Sequence, residues 1–221
     1  MDIDRLVTGP IQVNTYFVPV THAGANDLVI VDPGGNEDLI FSYIKKLKLN
    51  PIAIVLTHGH FDHIGAIPAL KKAYPKIQIG IHKGDSFYLG ETAYSEHYSD
   101  FSAMGASGLV KELKNRFPEL PEPDFFLEDQ KEPACMPGWT VLYTPGHSAG
   151  SVCFYNQKNA VLLSGDTMFL RACGRTDLHG GDARKMQFSL QKILSLPTSV
   201  RVFPGHGEQT TIADEQRNYG F

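Results

Sequence analysis

The sequence predicts a mixed α/β fold, α/β or α+β, on three observations. Eight short apolar runs rich in Val, Ile and Tyr recur along the chain, and helical patterns separate some of them. The 221 residues, 42% of them hydrophobic, are enough for one sizeable core. Residues 1–221 are therefore expected to form a single domain.

The strand candidates are residues 15–20 (TYFVPV), 28–32 (LVIVD), 52–56 (IAIVL), 77–81 (IQIGI), 139–144 (WTVLYT), 151–155 (SVCFY), 160–164 (AVLLS) and 200–203 (VRVF). Helical spacing places Ile40, Tyr43, Ile44 and Leu47 on one face of 37–48, and Met186, Leu190, Ile193 and Leu194 on one face of 184–196. A further helix is expected from Asp62 through "DHIGAIPALKKAY". Residues 84–137 differ, with the Gly and Ser cluster "SAMGASG" at 102–108 and prolines at 118, 121, 123, 133 and 137. Partial helix and much loop are expected there, as a lid or as a structural insertion.

Composition removes several functional classes. Twenty Lys and Arg against 24 Asp and Glu leave a net charge of −4, which gives no general attraction to nucleic acid or anionic membrane. No apolar stretch approaches the roughly 18 residues of a membrane helix, and the opening "MDIDRLVTGP" does not read as a secretory signal. Cys135, Cys153 and Cys173 are odd in number and widely separated, as expected of a reducing, cytoplasmic setting.

The polar residues that follow the strands carry the chemistry. "IAIVL" runs into Thr57-His58, "WTVLYT" into Pro145-Gly146-His147, "AVLLS" into Gly165-Asp166 and "VRVF" into Pro204-Gly205-His206. Ligands of open α/β sheets bind at that carboxyl edge, so four such deliveries predict one shared site. In "THGHFDH" (57–63) the extended backbone turns His58 and His60 the same way, and a helix starting at Asp62 aims Asp62 and His63 elsewhere. Neutral imidazole suits zinc or iron, and carboxylates offset the cation's charge. The expected set is His58, His60 and His147 on one divalent ion, Asp62, His63 and His206 on a second, and Asp166 between them. Zinc is the first choice, with iron or manganese as alternatives.

His22, His82, His97 and His179 lack such placement and are expected on the surface or in structural hydrogen bonds. Cys173 is expected to be a small packed residue. Asp32, in "VDPGG", either organises its own turn or supports the ligands from behind.

Together "THGHFDH", "PGHSAGS", "SGDT" and "PGHG" resemble the metallo-β-lactamase fold superfamily, in order and approximate spacing, over nearly the whole chain. The resemblance implies a four-layer αββα sandwich with a metal site at one edge. Asp166, where true zinc β-lactamases carry cysteine, argues against antibiotic hydrolysis. The segments "CGRTDLHGGD" (173–182) and "PGHGEQTTIADEQRNYG" are similar to the glyoxalase II (hydroxyacylglutathione hydrolase) branch in a short form. Its full-length members add a C-terminal helical domain that helps hold glutathione, whereas this chain stops 15 residues after His206. Arg175 is similar in place to a basic residue that contacts the glutathione moiety. It is read as a candidate for holding a substrate carboxylate by a forked hydrogen bond, or as one half of a salt bridge within its own loop.

The function so implied is hydrolysis of a thioester or similar small acyl substrate, glutathione-linked as one candidate, by hydroxide held on the metal, with Asp62 both ligating and orienting it. The run "RACGRTD" (171–177) also resembles persulfide dioxygenases of the same fold, which would use one iron on His58, His147 and Asp166. Phosphodiester hydrolysis and a non-catalytic metal-binding role are weaker alternatives. No nucleic acid or membrane partner is expected.

Overall fold

The first strands form an antiparallel meander, β1 (Asp4–Thr8), β2 (Val13–His22) and β3 (Ala25–Val31). Helix α1 (Glu37–Leu47) crosses over to the parallel strand β4 (Asn50–Val55). The short helices α2 (Phe61–Ile64) and α3 (Ile67–Ala73) lead to β5 (Gln78–His82), which runs into a 3-10 helix, Lys83–Tyr88. Helices α4 (Ala93–Ala103) and α5 (Ser107–Arg116) precede β6 (Phe125–Leu127), the edge of this six-stranded sheet. The second sheet has five strands, β7 (Thr140–Tyr143), β8 (Val152–Asn156), β9 (Val161–Gly165), β10 (Arg201–Pro204) and β11 (Thr210–Thr211), ordered β11-β10-β9-β8-β7. Helix α6 (Ala183–Leu194) makes the parallel crossover from β9 to β10, and α7 (Ile212–Tyr219) ends the chain. This computed structural model describes residues 3–22, 25–103 and 105–220. No helix among them is long and apolar enough to cross a membrane.

Alternation along each strand accounts for the layering. In β3, Leu28 and Ile30 pack into one core with Ile40 and Ile44 of α1, while Val29 and Val31 face a second core. Strand β4 divides in the same way, with Ile54 on the helix side and Ala53 and Val55 on the other. In the second sheet Val161 and Leu163 of β9 share that second core with Phe154 and Trp139, and Leu162 faces a third core with Met186, Leu190 and Ile193 of α6. Three cores stacked between two sheets and two helical flanks make the four-layer αββα sandwich. Strands buried on both faces need unbroken apolar runs, which is why the sequence showed short continuous runs rather than strict alternation.

Several elements depart from the sequence reading. The helix expected from Asp62 is split, because the Ala66 N–H bonds to Pro33 O and Pro68 brings no N–H to the first turn of α3. Strands β1, β6 and β11 and helix α7 went unread. The strands read at 77–81, 151–155, 160–164 and 200–203 sit one residue later, those read at 28–32 and 52–56 begin and end earlier, and β2 is longer than 15–20. Residues 84–137 hold most of the 3-10 helix, α4, α5 and β6, and seat Leu89, Tyr94, Phe101, Val110 and Leu113 in the first core. Met104, within the "SAMGASG" cluster, lies outside the described residues, as does the side chain of His22.

The sheets are tied together at the carboxyl ends of their central strands. Asn14 of β2 donates through Nδ2 to Pro204 O (2.9 Å) and Gly207 O (3.0 Å), and its N–H donates to Gly205 O (2.7 Å). The Tyr16 hydroxyl donates to Pro204 O (2.6 Å), and Val152 N to Thr57 O (2.8 Å). Loops from both sheets are thereby fixed against each other at one edge.

Candidate metal centre

That edge holds the polar residues singled out by the sequence. His58 and His60 follow β4, Asp62 and His63 stand on α2, and His147, Asp166 and His206 follow β7, β9 and β10. All seven converge. Ligand-type atoms of His58, His60 and His147 lie within 4.8 Å of one another, as do those of Asp62, His63 and His206, and those of His58, His63 and Asp166. Two clusters therefore adjoin, and Asp166 spans them: Oδ1 is 3.4 Å from His63 Nε2, and Oδ2 is 3.6 Å from both His147 Nε2 and His206 Nε2. Asp62 Oδ2 is 3.3 Å from His206 Nε2, and His60 Nδ1 is 2.8 Å from His147 Nε2.

Outer partners fix which nitrogen faces inward. Thr57 donates through its hydroxyl to Asp32 Oδ2 (2.6 Å) and so accepts from His58 Nδ1 (3.1 Å), leaving Nε2 of His58 as the inward atom. Asp32 Oδ2 also faces His63 Nδ1 at 3.0 Å, and Asp32 Oδ1 accepts from Thr57 N at 2.8 Å. Of the two readings of Asp32, this geometry is that of support from behind, on a backbone with φ of 51°. His147 Nδ1 donates to Arg175 O (2.8 Å), which frees its Nε2.

The inward atoms fit a metal. His58 Nε2, His63 Nε2 and Asp166 Oδ1 are buried without a hydrogen-bond partner, a costly state for a polar atom that a cation relieves. A tetrahedral ion with bonds of about 2.0–2.1 Å separates its ligands by about 3.3 Å. The facing atoms here bracket that spacing, and nitrogen with carboxylate oxygen suits zinc, iron or manganese.

Charge divides the two clusters. Burial, reinforced by His63, His147 and His60, holds the pKa of His58 well below its ordinary value, and burial with His147 does the same to His60. Both stay neutral, the form that binds metal. Burial also opposes charge on His63, yet Asp166, Asp32 and Asp62 outweigh it and raise its pKa well above the usual value. Burial likewise disfavours ionised Asp166, but His63, His147 and His206 hold it well below the carboxylate range. A divalent cation would take the place of the protons on this second cluster.

Above the centre lies a cavity of about 250 Å³ whose walls include Ile11, Phe101, Phe169 and Leu178. Arg175 reaches the same cavity, but its Nε and Nη2 donate to Asp177 Oδ1 and Oδ2 at 2.7 and 2.8 Å. Its forked face is thus engaged within its own loop. Gly205 is required beside Asp166, because a Cβ there would lie 2.1 Å from Asp166 Oδ1.

The other polar residues are placed elsewhere. His82 Nδ1 accepts from Gly84 N, His97 is buried with Nε2 bonded to Tyr88 O, and His179 pairs with Glu96 at 3.3 Å. Cys173 packs against the third core. Asp85 and the Arg175 carbonyl were missed by the sequence reading. A lone Asp in "HKGDS" looks like any loop residue, and a carbonyl has no sequence signal.

Comparison with known proteins agrees with this geometry. The family model described as the Metallo-beta-lactamase superfamily matches residues 8–206. The probable metallo-hydrolase YqgX of Bacillus subtilis is 34% identical over 96% of this chain and 93% of its own length. The hydroxyacylglutathione hydrolase GloC of Haemophilus influenzae is 30% identical over 94% of this chain and 97% of its own. Among solved structures, the B3 metallo-beta-lactamase BLEG-1 superposes with a TM-score of 0.81 at 34% identity, covering 98% of this chain and 97% of that one. TTHA1623 in a di-iron-bound form superposes with a TM-score of 0.78 at 34% identity, covering 97% and 98%. With the sandwich, the clustered histidines and aspartates and these matches all in accord, the chain belongs to the metallo-beta-lactamase superfamily.

Proposed function

We propose that this protein is a metal-dependent hydrolase that cleaves a thioester or a similar small acyl substrate, in the manner of a hydroxyacylglutathione hydrolase. The observation that carries the reading is the convergence of seven nitrogen and carboxylate donors, some buried without partners, beneath a cavity with apolar walls. His58, His60 and His147 would hold one divalent ion, Asp62, His63 and His206 a second, and Asp166 both. Zinc is the first candidate, with iron or manganese as alternatives. Bound divalent metal supplies a hydroxide nucleophile at neutral pH and polarises the acyl oxygen.

The protein's own residues do the positioning. Asp62, whose carboxylate faces both His63 and His206, orients the attacking water. Ile11, Phe101, Phe169 and Leu178 shelter the acyl carbon from bulk solvent. A thiolate leaves without a strong general acid, and no further proton donor is assigned. Arg175 remains a candidate contact only through donors that Asp177 does not use. The GloC name supports the thioester substrate, whereas the likeness to BLEG-1 weakens the case from Asp166 against β-lactam hydrolysis.

The test is a metal count on purified protein together with three assays: S-lactoylglutathione hydrolysis, β-lactam hydrolysis, and oxygen uptake with glutathione persulfide. Two ions with thioester cleavage are expected. One iron with oxygen uptake would replace this reading by persulfide dioxygenation, the alternative suggested by residues 171–177.

A further inference from the structure

We propose that Asp85 is the positioning carboxylate that sets the spacing of the three-histidine half of the metal centre. The inference rests on the two-ion reading above. Asp85 belongs to neither donor cluster and is fully buried on the 3-10 helix that follows β5. Its Oδ2 accepts from Gly59 N (2.9 Å) and Ser148 Oγ (2.6 Å), and its Oδ1 accepts from Gly150 N (2.5 Å). Gly59 lies between His58 and His60, and Ser148 directly follows His147. One side chain therefore grips the loop from the first sheet and the loop from the second, immediately behind the three imidazoles.

The fit around Asp85 is tight on both sides. A Cβ on Gly59 would come within 2.5 Å of the Tyr88 ring, and a Cβ on Gly150 within 2.5 Å of Asp85 N. Tyr88, on the same 3-10 helix, also sets its ring edge-on to that of His60, with centroids 5.4 Å apart. All three partners are donors, so the position requires an acceptor with two free oxygens, and an amide would turn an N–H against at least one of them. Asp32 stands behind His63 of the second cluster and, through Thr57, behind His58, and none of these contacts runs through Asp85. Loss of the Asp85 grip should therefore loosen one ion site and spare the other.

The experiment is a zinc titration of wild-type protein, Asp85→Asn and Ser148→Ala against a chromophoric chelator, with thermal melting of each metal-free protein alongside. Wild type should take up two ions. Asp85→Asn should keep one at wild-type affinity and bind the other about 10- to 100-fold more weakly, the usual effect of losing a partner behind a ligand. Ser148→Ala should weaken the same ion by a smaller factor. Equal weakening of both ions, or two unchanged ions, would show that Asp85 serves folding alone and overturn the proposal. If Asp85→Asn does not fold, Ser148→Ala decides by the same criterion. A wild-type protein that takes up fewer than two ions of zinc, iron or manganese would instead overturn the two-ion reading and this inference with it.

Discussion

At the scale of single residues, Asp62 and Asp32 divide the work of the centre. Asp62 is the proposed orienting carboxylate, and Asp62→Ala should abolish turnover; near-normal hydrolysis would refute the role. Asp32, 1% exposed, accepts from Thr57 N and Thr57 Oγ1 and faces His63. Asp32→Ala leaves buried donors without an acceptor, at about 1–3 kcal/mol each. Denaturant unfolding should show a loss of about 3 kcal/mol, with metal affinity lower by about 10- to 100-fold. The sequence announced the seven donors because imidazole and carboxylate are conspicuous directly after buried strands. It left Asp32 open between two roles and hid Asp85, since whether a carboxylate reaches another loop is decided by packing rather than by its neighbours in sequence.

At the scale of elements, caps and buried polar groups set local stability. Thr211 Oγ1 accepts from Asp214 N at the start of α7, so Thr211→Ala should cost about 1 kcal/mol in chemical denaturation. The helix it caps went unread because it is short and lacks the long apolar period that marks α1 and α6. Strands β1, β6 and β11 went unread for the same kind of reason: each is an edge strand of two to five residues with little buried surface of its own. In α4, burial pushes the pKa of His97 down to about 4, against its hydrogen bond to Tyr88 O. The folded state thus refuses a proton that the unfolded chain accepts at its ordinary pKa near 6.5. His97 therefore costs no stability above about pH 6.5. Between about pH 6.5 and 4 stability falls, by roughly 3 kcal/mol in all, and then levels off. The stability gap between wild type and His97→Gln should shrink by up to that amount from pH 7 to pH 4. A gap that stays constant would contradict the linkage.

At the scale of the molecule, cores and centre depend on each other. Continuous apolar runs foretold buried strands, but not which runs share a sheet. That follows from pairings such as β3 with β4 and β9 with β10, fixed by contacts far apart in sequence. The layered arrangement entered the sequence reading through resemblance alone, and the three cores supply its physical cause. Because several of the buried donor atoms, among them His58 Nε2, His63 Nε2 and Asp166 Oδ1, lack hydrogen-bond partners, chelation should lower thermal stability. Each ion at a hundredfold excess over its Kd contributes about 2.7 kcal/mol, so a melting temperature indifferent to EDTA would contradict the cage. The cage is also split by gene order: His58 to His63 belong to the first sheet's loop, and His147, Asp166 and His206 to the second. During synthesis residues 58–63 are made before residue 206, and alone they offer four of the seven candidate ligands. An ion held by both halves would therefore be bound only once the loop after β10 has been made, tying an earlier stretch of the polypeptide to a later one.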